Sequence, residues 1–600
     1  MSATRITASL AVAAAAVLVL AGCVPQQSPT IEGSELTVAV TQPYTSGNPS
    51  TSFGASDTNA TIAYATGSGF TYFDDKSALV RDESFGHFEK VSDDPLAVTY
   101  TVADGVRWSD GSAVDAVDLL LEWAATSGAL NTPDADAAST VDSETGAPID
   151  RSDDRVLFDA SATGDTGIGL VTEMPQMSDD RMSLTLVFDE PTAQWQSAFF
   201  GADSAAKPAH VVGMMAFASD DSIEAKERVF SAISDGNESD LAAIARTWNT
   251  VFNFEGMPAN KSLVVSNGPY VVSDFVANQY VTLRANEDYS GMREPTFQEI
   301  RVRFMSDPLA QAQALLVGAV QVAEPTMNQD VRNALATMNA TVIDGTTDRF
   351  EHLDLQFAES KSGVFDDPLV RQAFLKTVPR AAVVQTALGE LYRRATPRDS
   401  FLFAPGDEGY RSARAANGSA DFVEPDIAGA KELLAEAGVS KPGVCILYDA
   451  SDDMRAAEYT SIAESAKAAG FVVSDCSSDD WRDQLGTPGA YDAALFSWQN
   501  PRPGVGLSAA IYGTGGYANL NYFSDSTVDS LIADATDPSV DAEGRTNALK
   551  AADAALWSAS YGMPLFQYPA TVAYDQDRVD NVSLSSLNPG VWWNVWEWKP

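Results

Sequence analysis

The chain has 600 residues, 45% of them apolar, with 83 acidic against 38 basic side chains and a net charge of −45. This length exceeds one ordinary hydrophobic core and predicts two or three domains, and the apolar content excludes wholesale disorder. So acidic a surface repels phosphate backbones and is not drawn to anionic lipid, so nucleic acid is not an expected partner.

The first 22 residues carry one charge, Arg5, then an apolar run from Leu10 to Leu20 and the small residues Ala21 and Gly22. That run is shorter than the roughly 17–25 residues of a bilayer span. It fits a secretory signal cut before residue 23. Leu20-Ala21-Gly22-Cys23 resembles the bacterial lipobox, which implies acylation of Cys23 and a lipid-anchored place on the extracytoplasmic face of the cell membrane. The alternative is an ordinary signal with an incidental cysteine. Residues 23–34 read as lipidated cysteine and tether, polar and aperiodic, with Pro25 and Pro29. No HExxH, CxxC, GxSxG or Walker pattern occurs, and His87, His210 and His352 are far apart in sequence. The commonest catalytic signatures are therefore missing, and no cofactor or resident metal is expected.

Leu36 to Val40 alternates and is β-branched, predicting a strand. Thr41 to Asn59 is a polar loop of the kind that carries ligand contacts, or a plain solvated connection. Val98–Val102 predicts a strand, Asp104-Gly105 a turn and Val106–Trp108 the returning strand. Asp110-Gly111 makes a second turn, and Asp115 caps a helix with Val117, Leu120 and Leu121 on one face. Asp110 reads as an Asx-turn residue rather than a catalytic acid. Residues 127–185 are rich in Asp, Ser, Thr, Ala and Gly and predict an acidic, partly ordered insertion. Asp134, Asp136, Asp153 and Asp154 raise calcium binding, but without EF-hand spacing a solvated loop is the expectation. Further strands are expected at 181–188 and 300–304, and a helix at 310–317.

In the C-terminal half, Asp367-Pro368 opens a helix with Val370, Phe374 and Val378 on one face. Arg371 and Arg380 read as structural ion-pair residues. A second helix runs from Asp426 toward Gly438. An α/β pattern follows: strand 444–448, helix 452–469, strand 471–474, a helix opened by Trp481, and strand 491–498. Cys445 and Cys476 fall on or near neighbouring strands, so a disulfide between them is possible. Met563 to Tyr568 predicts a strand, and Trp592, Trp593, Trp596 and Trp598 are expected to tie the C-terminus to the core.

Several blocks, in order, resemble the family 5 extracytoplasmic solute-binding proteins, the oligopeptide- and dipeptide-binding lipoproteins of bacterial ABC importers. They are Leu96 to Trp123 around Trp108-Ser-Asp110-Gly111, Pro208-Ala-His210, Asn267-Gly-Pro-Tyr270 with Val281 to Gly291, Phe365 to Arg380, Asp426 to Gly438 and Asn521 to Ala535. The resemblance implies an α/β, periplasmic-binding-protein-like fold (type II, cluster C-like) with two lobes and an additional subdomain. It implies a discontinuous lobe I of residues 35–60, 200–345 and 563–600, a subdomain of 61–199 holding the insertion 127–185, and a lobe II of 346–562. A monomer is expected. It would bind oligopeptides between the lobes and deliver them to the ABC permease, whose ATPase subunits it would meet only indirectly.

By the same resemblance the ligand-facing residues are Phe53, Gly54 and Ala55 from lobe I and Trp481 and Trp498 from lobe II. The relatives' Asp and Arg for peptide termini are replaced by Pro501 and Leu495. Asn500 and Arg502 are candidate substitutes, and the missing clamps keep a non-peptide solute (nickel complex, opine, oligosaccharide) open. A more distant alternative is a secreted glycoside hydrolase, which needs two carboxylates about 5–10 Å apart.

Overall fold

The computed structural model describes residues 30–76, 78–133, 142, 146, 155–162, 166–199, 206–389, 391–499 and 507–600. Cys23, Asn500, Arg502, the Leu20–Cys23 motif and the four aspartates considered for calcium lie outside these residues.

Strand β1 (Ile31–Val40) is longer than the alternating core Leu36–Val40, because Ile31 also pairs with Phe297 beyond a register shift. The next strands build the subdomain. These are β2 (Thr71–Phe73), β3 (Leu79–Arg81), β4 (Gly86–Asp93), β5 (Leu96–Val102), β6 (Gln176–Met177) and β7 (Ser183–Val187). β2 and β3 pair alone, and the other four form one sheet ordered β4-β5-β7-β6. Phe70, Phe85, Phe88, Tyr100 and Phe199 meet edge-on or tilted beneath them.

Two expectations fail here. Val106–Trp108 is not a strand returning along β5. It folds back on 112–114 around the Asp110-Gly111 turn, with a single bridge between Arg107 and Ala113. β5 meanwhile has β4 and β7 as its neighbours. The insertion 127–185 is also more built than its composition suggests: Val156, Phe158, Ile168 and Val171 belong to the main core. Scattered apolar residues anchor this segment without periodicity, so no pattern announces them. The helix Ala116–Thr126 carries the expected Asp115 cap, completed by Asp118 as a capping box, but is buried on all sides rather than one.

The chain then returns to the large sheet through β8 (Tyr270–Val276), β9 (Tyr280–Ala285), β10 (Phe297–Phe304) and β11 (Val322–Ala323). β10 and β11 flank β1 in parallel, with Val38 opposite Val302 and Val322. The long strand β12 (Thr341–Leu355) crosses out of this half. β13 (Gly443–Leu447), β14 (Val472–Asp475) and β15 (Ala493–Gln499) form the second half, and β16 (Gly562–Tyr574) crosses back. The ten strands read β14-β13-β15-β12-β16-β11-β1-β10-β9-β8.

In the second half, Leu353, Leu355, Val444, Ile446, Ala493 and Leu495 pack against helices including Pro368–Leu375 and Asp453–Ala469. Asp367 and Asp452 cap those two helices, and Pro368 takes the first helical position. Cys445 and Cys476 are joined by a disulfide, Cα atoms 5.7 Å apart. The Cys476 N–H donates to the Ile446 carbonyl, which draws it beside β13. Trp592 and Trp598 are fully buried against the first half, and Trp596 stacks on Tyr64.

Candidate ligand-binding cleft

β12 pairs with β16 from Thr341↔Tyr574 to Thr346↔Pro569, then skips to Phe350↔Gln567. Before this break β16 also pairs with β11, and from Arg349 onward β12 pairs with β15. The two crossing strands thus change neighbours at one level, around Thr347–Arg349 and Tyr568. In open α/β sheets ligands bind outside the carboxyl ends of the strands where connectivity switches. Here those ends belong to β1 and β11 on one side and to β13 and β15 on the other.

Side chains of the two crossing strands and of the end of β15 form the candidate second wall. The Arg349 Nε donates to Ser497 Oγ at 2.7 Å, and its guanidinium lies 4.5 Å over the Tyr568 ring. The Tyr568 hydroxyl donates to Glu351 Oε2 at 2.6 Å, so burial first and this carboxylate second push its pKa far up. Glu351 is fully buried and takes a two-pronged pair from Arg455, at 2.8 and 3.1 Å. Burial opposes the charge on Arg455, but Glu351 outweighs it and raises the pKa. Glu458 lies nearby with both oxygens unpartnered among the described residues; burial and Glu351 push its pKa well up. Two like charges side by side in a buried site disfavour each other, which adds to burial in raising Glu458.

The first wall is a backbone loop locked from within. Asn59 Oδ1 accepts the N–H groups of Thr45 and Ser46 at 2.9 and 3.2 Å, and its Nδ2 donates to the Gly54 carbonyl at 2.9 Å. Asn48 Nδ2 donates to the Trp248 carbonyl, and both the N–H and the hydroxyl of Ser52 donate to Asp159. A Cβ on Gly54 would lie 1.9 Å from the Asn48 carbonyl oxygen, so no other residue fits. Glu324, just past β11, accepts a weak bond from the Val591 N–H at 3.4 Å, and burial pushes its pKa up to about 7.

Of the residues the resemblance placed against ligand, Gly54 has its N–H bonded to Thr51 and its carbonyl to Asn59. Its backbone is therefore committed inside the loop. Phe53 packs toward Gly146, and Ala55 is exposed. Trp481 opens the short helix Trp481–Gln484 and is stacked by Arg455 and Arg482, each 5.2 Å from its ring centre. Trp498 lies against Phe496 and parallel to His352, and its Nε1 has no acceptor among the described residues. Leu495 points into the second-half core, so a charge at that position has no counterpart here.

Asp110 has the structural role expected. Burial opposes its ionisation, but bonds from His210 at 2.8 Å and from Ser112 hold its pKa well below the usual carboxylate range. Arg380 pairs with Asp399 at 2.9 Å, whereas Arg371 donates to the Phe365 carbonyl and has no ion pair among the described residues. The residues missed in sequence are Arg349, Glu351, Arg455 and Tyr568 in the second wall and Asn59 and Asp159 in the first. Glu351 and Tyr568, which bond each other, lie 217 positions apart, and no local motif joins these residues.

The family model for bacterial extracellular solute-binding proteins, family 5 Middle, matches residues 82–518. An uncharacterized lipoprotein of Mycobacterium tuberculosis is 25% identical over 567 residues, covering 92% of this chain and 90% of its own. Among solved structures, the periplasmic EDTA-binding protein EppA aligns with a TM-score of 0.70 at 20% identity, over 95% of this chain and 97% of its own. The oligopeptide-binding protein AppA of Bacillus subtilis, in complex with a nonapeptide, aligns with a TM-score of 0.58 at 16% identity, over 94% and 98%. These two likenesses establish the fold: a type II periplasmic-binding-protein architecture with two lobes joined by crossing strands. The chain belongs to the bacterial extracellular solute-binding proteins of family 5, the extracytoplasmic binding components of ABC importers.

Proposed function

We propose that this protein is a lipid-anchored binding protein that takes up oligopeptides between its lobes and presents them to a membrane permease. Acylated Cys23 is the anchor, and residues 24–34 are the tether. Lobe I comprises 35–60, 200–345 and 563–600, the subdomain 61–199, and lobe II 346–562. The observation that carries the reading is the paired crossing of β12 and β16 between a half that holds the locked loop after β1 and a half that holds aromatic and cationic side chains near the crossing. Such a joint suits hinge closure on a solute. Trp498 supplies flat apolar surface for peptide side chains, whereas Trp481, buried and stacked by Arg455 and Arg482, backs it from within the core.

A non-peptide solute is the second reading. Its support is Leu495, buried in the core where the peptide-binding relatives place an arginine. Native mass spectrometry of the soluble chain from Val24, purified without added ligand, tests both. A distribution of masses that fragments as peptides supports the first reading, and a single non-peptide mass replaces it with the second. Turnover of the released cargo would instead indicate a hydrolase.

A further inference from the structure

Resting on the interlobe reading, the geometry points to Arg349 as the recognition site for a carboxylate of the ligand. Most arginines whose contacts are described here are consumed by the protein: Arg228, Arg293, Arg380 and Arg455 each face a carboxylate. Arg398 is spent on carbonyl oxygens and Gln567. Arg349 differs. It is exposed, its Nε is fixed by Ser497, its plane rests on Tyr568, and among the described residues its two terminal nitrogens have no acceptor. Glu351, two residues along the same strand, is already held by Arg455 and Tyr568.

The support is layered. Arg455 orients Glu351, Glu351 orients the Tyr568 ring, and that ring with Ser497 orients the guanidinium. A planar fork held in this way presents parallel N–H groups that match the two oxygens of a carboxylate, with little side-chain freedom left to lose. Its position is also informative. Arg349 stands at the register break where the strands cross between lobes, on the side of the strand ends. In a chain with 83 acidic and 38 basic residues, an open cationic fork is the local exception to a field that otherwise repels anions.

Citrate is the probe. It is titrated into the soluble chain from Val24 and compared with sodium chloride at matched ionic strength and with uncharged triethyl citrate, reading the thermal unfolding midpoint. The wild type is expected to rise saturably with citrate alone. Arg349→Gln is expected to weaken citrate at least about tenfold, the scale of a lost charged hydrogen bond. Arg349→Lys, which keeps the charge but loses the fork, should fall between. Both variants alter an exposed side chain, and an unchanged midpoint without citrate confirms folding. No rise in the wild type, or equal rises in wild type and Arg349→Gln, overturns the assignment. Small-angle scattering separates the two claims. Compaction on copurified cargo, retained in Arg349→Gln with unchanged cargo affinity, refutes the carboxylate site and keeps the interlobe reading. A citrate response lost in Arg349→Gln without any compaction on cargo or citrate does the reverse.

Discussion

The two walls proposed for the cleft are built from opposite materials. The lobe I wall is backbone, with Ser46, Asn48, Thr51 and Asn59 buried and spent on holding one loop in shape. The lobe II wall is side chains of the crossing strands and of the β15 end, with an Arg455–Glu351–Tyr568–Arg349 chain of contacts behind it. A wall whose polar groups are satisfied internally fixes shape but has little chemistry left to offer. A wall that ends in an open guanidinium and aromatic faces can discriminate between solutes. Selectivity should therefore reside mainly in lobe II, and changes on the lobe I side should act on stability and on the cleft's geometry.

The largest test removes the foundation of the lobe II wall. Arg455→Leu leaves Glu351 buried without its cation and should cost about 3–5 kcal/mol in urea unfolding. A loss under 1 kcal/mol would mean that Glu351 readily takes up a proton. Opening the disulfide with Cys445→Ser and Cys476→Ser frees a loop of 31 residues. In the chain-entropy description this lowers stability by about 3–4 kcal/mol, and an unchanged midpoint under reducing conditions would contradict it.

On the lobe I side, Glu324 carries a pH signature. Its folded pKa near 7 lies above its ordinary 4.5, chiefly through burial, so the folded state binds its proton more tightly. Its favourable contribution is full below about pH 4.5 and is lost as pH rises through 7, by about 3 kcal/mol at most. Glu324→Gln should flatten that slope, and it should be the more stable form relative to wild type at pH 8 than at pH 5. An identical pH slope in both proteins would remove Glu324 from the account.

Asn59→Ala strips the loop of four hydrogen bonds. It should cost about 1–3 kcal/mol and expose residues 45–54 to hydrogen exchange while leaving ligand preference unaltered. A changed preference would break the division between the walls. The smallest expected effect is at Trp498. Trp498→Ala should weaken cargo binding about tenfold, with some stability lost because the ring also packs on Phe496. Trp498→Phe keeps that packing, so affinity restored by Phe would assign the loss to shape rather than to the indole.

Local signals located the elements well. Asp115, Asp367 and Asp452 cap helices where short acceptors precede apolar periodicity, and Gly470 ends its helix at a positive φ that side chains avoid. Each such signal spans a few residues, because a cap or a turn satisfies backbone groups only one or two peptide units away. The same locality misled at Val106–Trp108, where a β-branched and an aromatic residue beside a turn suggested a strand of the main pairing. It misled again in the insertion, where polar composition hid Phe158 and Ile168, both in the core.

By itself the sequence determined the class of element wherever caps or periodicity marked one, the acidic surface, the family through its ordered blocks, and the candidate lipidation site at Cys23. Only the tertiary structure decided which charges are spent and which stay open. Arg349, Arg380 and Arg455 are equivalent letters, and pairing depends on what the sheet register and helix packing bring within about 4 Å. Contacts between residues 104 or 217 positions apart follow from long-range packing. Coulomb and hydrogen-bond energies depend on distance in space and on burial, neither of which is written along the chain.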